Sequence, residues 1–241
     1  MLCEDLERYG QHMSTTEPTK LSRNDARYPA TLLNLFGSFL PPDIWVAGNV
    51  SLLGEKAVGF CGSRKASDRG LEVAADCARQ LSEAGVIVVS GYAPGVDMAS
   101  HEAALKNGGR TIIVLPEGIN HFRIKKTVKS LWDWERILVV SQFPRDAIWR
   151  ADRAMERNKV IVALSRAVIV LEAREQGGTL NAGYSALQLG KPLFVALYDD
   201  MNGSRDGNQR LIQEGGKPLL RNRATSQAQM QEVFANVGLA N

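Results

Sequence analysis

Cysteine is scarce in this chain: Cys3, Cys61 and Cys77 are the only three among 241 residues, an odd set without a Cys-x-x-Cys spacing. That argues against a disulfide framework or a cysteine-based zinc site and fits a reduced, cytoplasmic protein. No apolar run approaches the roughly 20 residues of a membrane span, and Met1 to Lys20 lacks a signal-peptide core, so neither export nor membrane insertion is expected. Charge of one sign is not in large excess either. The net +3 is compatible with an anionic partner without demanding one. Also missing are a Gly-x-Gly-x-x-Gly fingerprint, a Gly-Lys-Ser/Thr phosphate loop and a Gly-x-Ser-x-Gly nucleophile elbow. Internal repeats and long low-complexity segments are absent as well.

What is present is an ordinary globular composition, 44% apolar and 23% charged, long enough for one sizeable core. From Lys56 onward short β-branched runs alternate with helical patterns, the pattern of βαβ units around a buried parallel sheet. Strands are predicted at Ala57–Cys61, Val86–Ser90, Thr111–Leu115, Ile137–Ser141, Ala167–Glu172 and Pro192–Leu197. Helices are predicted at Asp68–Glu83, Asp97–Asn107, Lys125–Trp134, Ala151–Leu164 and Thr179–Leu189. Gly85, Gly108-Gly109 and Gly190 stand where three of these helices should stop.

The expected fold class is α/β, a doubly wound, mostly parallel Rossmann-like sheet with helices on both faces. Residues 1–50 read as an N-terminal arm, loose to about Lys20, and an extension packed on the core. Residues 51–222 read as the Rossmann-like core. Residues 223–241 read as a C-terminal helical tail, with a helix at Ser226–Val237 and a loop at Asp199–Gly203 ahead of the tail.

Such sheets bind ligands beyond the carboxyl ends of their strands. The first strand ends in Gly62-Ser63-Arg64, which offers a tight turn, a hydroxyl and a two-pronged cation ahead of a helix whose free N–H groups face the same spot. Alone, that loop is equally well explained as turn chemistry. Three further loops follow strands: Ser90-Gly91-Tyr92-Ala93-Pro94-Gly95-Val96-Asp97, Pro116-Glu117-Gly118, and Glu175-Gln176-Gly177-Gly178-Thr179. Four such loops on one sheet edge predict a pocket of N–H donors suited to phosphate.

Cations cluster twice. Arg150, Arg153 and Arg157 share one helix face, although Asp152 and Glu156 also suit a solvated surface. His121, Arg123, Lys125, Lys126 and Lys129 lead into Trp132 and Trp134, which could stack bases, but a solvated basic face explains the cations more simply. If the segment is helical, at most one of the two tryptophans can face the core. Asp97 and His101 are four apart, the spacing of a metal pair or an acid/base dyad. With no third ligand in view, Asp97 reads better as a helix cap and His101 as a hydrogen-bonded, partly buried histidine. Cys61 lies in a strand and reads as too buried for an activated thiolate.

The order of these motifs resembles the DprA/Smf family of DNA-processing proteins. The resemblance runs from Tyr28-Pro29 and Val46-Ala47-Gly48-Asn49, through Gly62-Ser63-Arg64, Ser90–Asp97 and Arg157-Asn158-Lys159-Val160-Ile161, to Gly177-Gly178-Thr179 and Gly207-Asn208-Gln209-Arg210, covering roughly residues 21–220. It implies a Rossmann-like domain that holds single-stranded DNA by its phosphates, forms a homodimer, and in many members helps load the RecA recombinase during recombination or transformation. It further implies a site of Gly62, Ser63, Arg64, Ser90, Gly91, Arg157, Asn158, Lys159, Gly177, Gly178 and Thr179, with no catalytic residue, metal or cofactor. The chain departs from the family pattern at Pro94, where a basic residue is usual, at Lys159 in place of arginine, and at Gly177. The alternative is a nucleotide sensor or a phosphoribohydrolase of the LOG type, which shares the sheet. In those enzymes a catalytic glutamate follows the Gly-Thr loop, and here Leu180-Asn181-Ala182-Gly183-Tyr184 follow Thr179 instead.

Overall fold

The computed structural model describes residues 17–36, 43–198 and 205–239. The predicted loop at Asp199–Gly203 therefore lies outside the described residues. Among those described, nine strands form one sheet: β1 (Thr19–Leu21), β2 (Ile44–Gly48), β3 (Ala57–Gly62), β4 (Ile87–Ser90), β5 (Thr111–Val114), β6 (Ile137–Ser141), β7 (Ala167–Leu171), β8 (Leu193–Ala196) and β9 (Lys217–Leu219). Their spatial order is β1-β2-β6-β5-β4-β3-β7-β8-β9. From β6 to β9 every neighbouring pair is parallel, while β1 and β2 add an antiparallel edge. All six predicted strands are present.

The helices are α1 (Ala30–Phe36), α2 (Asp68–Glu83), α3 (Val96–Lys106), α4 (Lys126–Lys129), α5 (Ala151–Leu164), α6 (Gly178–Gln188), α7 (Arg205–Gln213) and α8 (Gln231–Asn236). Alternate residues of each central strand face opposite layers. Val168 and Val170 pack with Leu32 of α1, Ile161 of α5 and Leu180 of α6. Ala167, Ile169 and Leu171 pack with Val73 and Leu81 of α2, Val96 of α3 and Val233 of α8. Because both faces are covered, the strands read as unbroken apolar runs. Burying each of Phe60 and Phe194, both nearly inaccessible, contributes about 1.5–3 kcal/mol.

Three local expectations need correction. The chain is already a strand at Thr19–Leu21, ahead of the expected end of the loose arm. The helix expected at Lys125–Trp134 shrinks to the single turn of α4. Trp132 and Trp134 then pack edge-to-face, ring centroids 5.1 Å apart, in a cluster that joins Phe122 and Tyr92, and both are half-buried. The tail helix begins at Gln231, because Arg221–Ala228 first makes an isolated antiparallel bridge.

Candidate functional site

The strand order reverses at β3. β4, β5 and β6 extend to one side, and the α5 crossover returns the chain to β7 on the other. A crevice therefore opens between the carboxyl ends of β3 and β7, as this topology requires. It holds a cavity of about 500 Å³. Gly62, Ser63 and Arg64 enter from β3, Arg157 and Asn158 from α5, and Gly177, Gly178 and Thr179 from the start of α6. Three of the predicted residues, Ser90, Gly91 and Lys159, do not line it.

Each of these three has a physical reason to stand apart. Ser90 is fully buried, its hydroxyl 2.9 Å from the Phe60 carbonyl and 3.0 Å from Asp97 Oδ1. Gly91 lies under the Arg157 guanidinium and the Asp97 carboxylate, where a Cβ would collide with both. Lys159 follows Arg157 by two residues, about 200° around the helix, and is exposed.

Arg157 is buried, unlike Arg150, and so leaves the expected arginine face. Its Nη1 donates to the Val114 carbonyl at 2.7 Å, while Arg150 pairs with Asp152 at the surface. Burial pushes its pKa down and the nearby Asp97 carboxylate opposes that shift. Arg64 is exposed, with its guanidinium carbon 5.5 Å from the centroid of the Trp149 ring.

Two of the helices that begin at this crevice, α2 and α6, differ at their N-termini. At α2 the cap position, where an anion would sit, is already filled by side chains of the protein. Ser67 caps the helix by accepting from Gly70 N at 3.0 Å, and the buried Glu172 carboxylate accepts from Ser67 N at 2.9 Å, from the Ser67 hydroxyl and from the Tyr198 hydroxyl. Glu172 adopts φ +53°, a left-handed conformation uncommon outside glycine, where β7 ends. At α6 the cap residue is Gly177, φ +121°, and no side chain caps the helix. Asn158 Nδ2 holds the Gly178 carbonyl at 3.1 Å, so the turn is fixed while its first N–H groups stay available for an anion.

The second loop contributes Ala93 and Asp97 to the cavity, and its polar groups are bonded within the loop and to Lys125 and His101. Asp97 is not the helix cap. Gly95 is, with φ +83°, and Asp97 Oδ2 accepts from Ala93 N at 3.1 Å. His101 is fully buried rather than partly so, its ring nitrogens 2.6 Å from Thr111 Oγ1 and from the Gly91 carbonyl. A carbonyl only accepts, so Nε2 carries the proton. Burial pushes the His101 pKa down to about 4, which keeps the ring neutral. Cys61 lies in the cavity floor with its thiol pushed up to about 12 by burial, and so stays protonated. No group of three His, Cys, Asp or Glu residues that could hold a metal occurs among the described residues.

The cavity also includes Trp149, Met155 and Glu172, which sequence reasoning missed. Ile148-Trp149 beside basic residues was a readable signal. Glu172 looked like the last residue of a strand.

A doubly wound sheet with a crevice at its switch point defines a Rossmann-like protein. The chain belongs to the DNA recombination-mediator protein A family, whose model matches residues 19–232. DNA processing protein DprA of Streptococcus pneumoniae is 34% identical over 195 residues, 80% of this chain and 68% of that protein. The X-ray structure of DNA processing protein A from Streptococcus pneumoniae superposes with a TM-score of 0.74 at 33% identity, covering 89% of this chain and 77% of that one. DNA processing protein A from Helicobacter pylori, a structure described for its unique single-stranded DNA binding mode, gives 0.71 at 25% identity over 85% and 92% of the two chains. The chain spans about half to two thirds of the length of the curated relatives it matches.

Proposed function

We propose that this protein binds single-stranded DNA through the phosphates of the strand, received in the cavity between β3 and β7. The observation that carries this reading is the uncapped N-terminus of α6 at Gly177-Gly178-Thr179, with the exposed cation Arg64 lining the same cavity. Backbone N–H groups and a guanidinium hold phosphate without reading sequence, so the binding is expected to tolerate any base order. Family membership and the strand binding described for the Helicobacter pylori protein support the same reading. The role is holding rather than cleaving. The two cavity carboxylates, Asp97 and Glu172, are engaged with Ser90, Ala93, Ser67 and Tyr198 instead of standing free as acids or bases.

Work on a DNA strand suits a cytoplasmic protein with free Cys61 and Cys77, and no described helix is long and apolar enough to cross a membrane. A homodimer contact is proposed at β9, the last strand of the sheet among the described residues, beside the exposed Leu220. A contact with the RecA recombinase rests on the family resemblance.

Fluorescence anisotropy with a short labelled oligonucleotide tests the binding. Roughly micromolar affinity is expected, falling with salt at a log–log slope of about −0.7 per phosphate neutralised. Arg64→Ala is expected to weaken binding and to make that slope shallower by about 0.7. Unchanged titrations at low salt would remove Arg64 from the site.

A further inference from the structure

A second cavity, of about 350 Å³, adjoins the first and shares with it Arg64, Ala93, Trp149 and Arg157. Its size falls at the small end of ligand cavities, roughly 300–1,000 Å³, and suits one nucleotide-sized unit. Its lining is aromatic and mainly cationic, with one carboxylate, Glu117. Tyr92, Phe122 and Trp149 offer aromatic surface, and Arg123 and Lys125 add cations to the two shared arginines.

The aromatic part is held in place. Tyr92 and Phe122 lie 5.3 Å apart between ring centroids, and Phe122 is backed by Trp132 at 5.6 Å. Lys125 is not the solvated lysine its sequence context suggests. It is half-buried, its ammonium lies 4.4 Å from the Tyr92 ring centroid, and it donates to the Tyr92 carbonyl. Its backbone N–H also bonds the Tyr92 hydroxyl at 3.0 Å, which fixes the segment against the second loop. Burial lowers its pKa, opposed by the carboxylates of Asp97 and Glu117, and a group that sheds hydration in this way gains most from a ligand anion. Arg157 faces both cavities while its buried Nε has no hydrogen-bond partner.

We propose that this second cavity is a subsite for the adjoining nucleotide of the strand, with its base against Tyr92 and Phe122 and its phosphate met by Lys125 and Arg123. Lys125 thereby supplies to the second loop the cation that Pro94 lacks, from a different segment of the chain. Stacking on aromatic rings tolerates every base, so the subsite adds affinity without base order. The inference rests on the first cavity holding a phosphate of the same strand.

The test is competition by 5′-phosphorylated thymidine mononucleotide and dinucleotide against a labelled oligonucleotide, with wild type, Lys125→Gln and Tyr92→Leu. Wild type should bind the dinucleotide on the order of tenfold more tightly than the mononucleotide. Lys125→Gln and Tyr92→Leu should shrink that gap by weakening dinucleotide binding more than mononucleotide binding. If Tyr92→Leu does not fold, Lys125→Gln decides alone, since it removes a charge and keeps the stem. A gap that persists in Lys125→Gln, or a wild type that binds both ligands equally, overturns the subsite and leaves the first cavity standing. Failure of wild type to bind either ligand overturns the first cavity and the subsite together.

Discussion

The two sides of the crevice treat the same physical opportunity differently. On the β3–β4 side the loop and helix-start groups are met from within the protein: Glu172 and Ser67 fill the cap of α2, Asp97 holds the second loop, and His101 ties Gly91 to Thr111. On the β7 side α6 starts at a glycine with no capping side chain, and its first N–H groups are left for a ligand. A helix N-terminus is thus a binding site only when the chain has not already filled it with an acceptor of its own. The closed β3–β4 side supplies rigidity and the Arg64 cation, and the open β7 side supplies backbone N–H groups.

The largest expected effect breaks the closed side. Glu172→Ala leaves the Ser67 N–H and hydroxyl without their acceptor and takes one partner from the Tyr198 hydroxyl, and a loss of roughly 4 kcal/mol is expected in denaturant unfolding. Oligonucleotide binding per folded molecule should change little. A gain in affinity would mean that the N-terminus of α2 competes for phosphate after all.

Acid loosens the same side. His101 stays neutral in the folded protein down to about pH 4, whereas in the unfolded chain it takes up a proton near 6.5. Between those values the unfolded state binds more protons, so stability is lost as pH falls from about 6.5 to about 4, by up to roughly 3 kcal/mol. Thermal melts across that range should show the decline, and His101→Gln should flatten it. An equal decline in the variant would assign it to other groups.

The open side should respond in binding more than in stability. Gly177→Ala forces a side chain onto φ +121°, at a local cost of about 1–3 kcal/mol, and displaces the first N–H groups of α6. Oligonucleotide affinity is expected to fall about tenfold. Full affinity in a folded Gly177→Ala protein would remove the α6 terminus from the site.

Much of this was legible in the sequence, because the central strands are buried on both faces and carry unbroken apolar runs such as Ala167–Leu171. The start of α5 at Ala151 and the stops at Gly85, Gly108 and Gly190, all with positive φ, were legible for similarly local reasons. β1 and β9 were not, since three residues of which two are exposed carry no periodicity. In the site, Gly62, Arg64 and Gly177 were readable as loop residues. The closure of α2 was not, because Glu172 lies 105 residues from Ser67 and only the β3–β7 pairing brings the two together. Lys125 was misread for a related reason, since its contact with Tyr92 spans 33 residues.

Backbone amide shifts during titration with a short single-stranded oligonucleotide compare the two helix starts in one sample. The account predicts that Gly178 and Thr179 move with saturation while Arg69 and Gly70 stay in place. Movement confined to Arg69 and Gly70, with Gly178 and Thr179 unmoved, would contradict it.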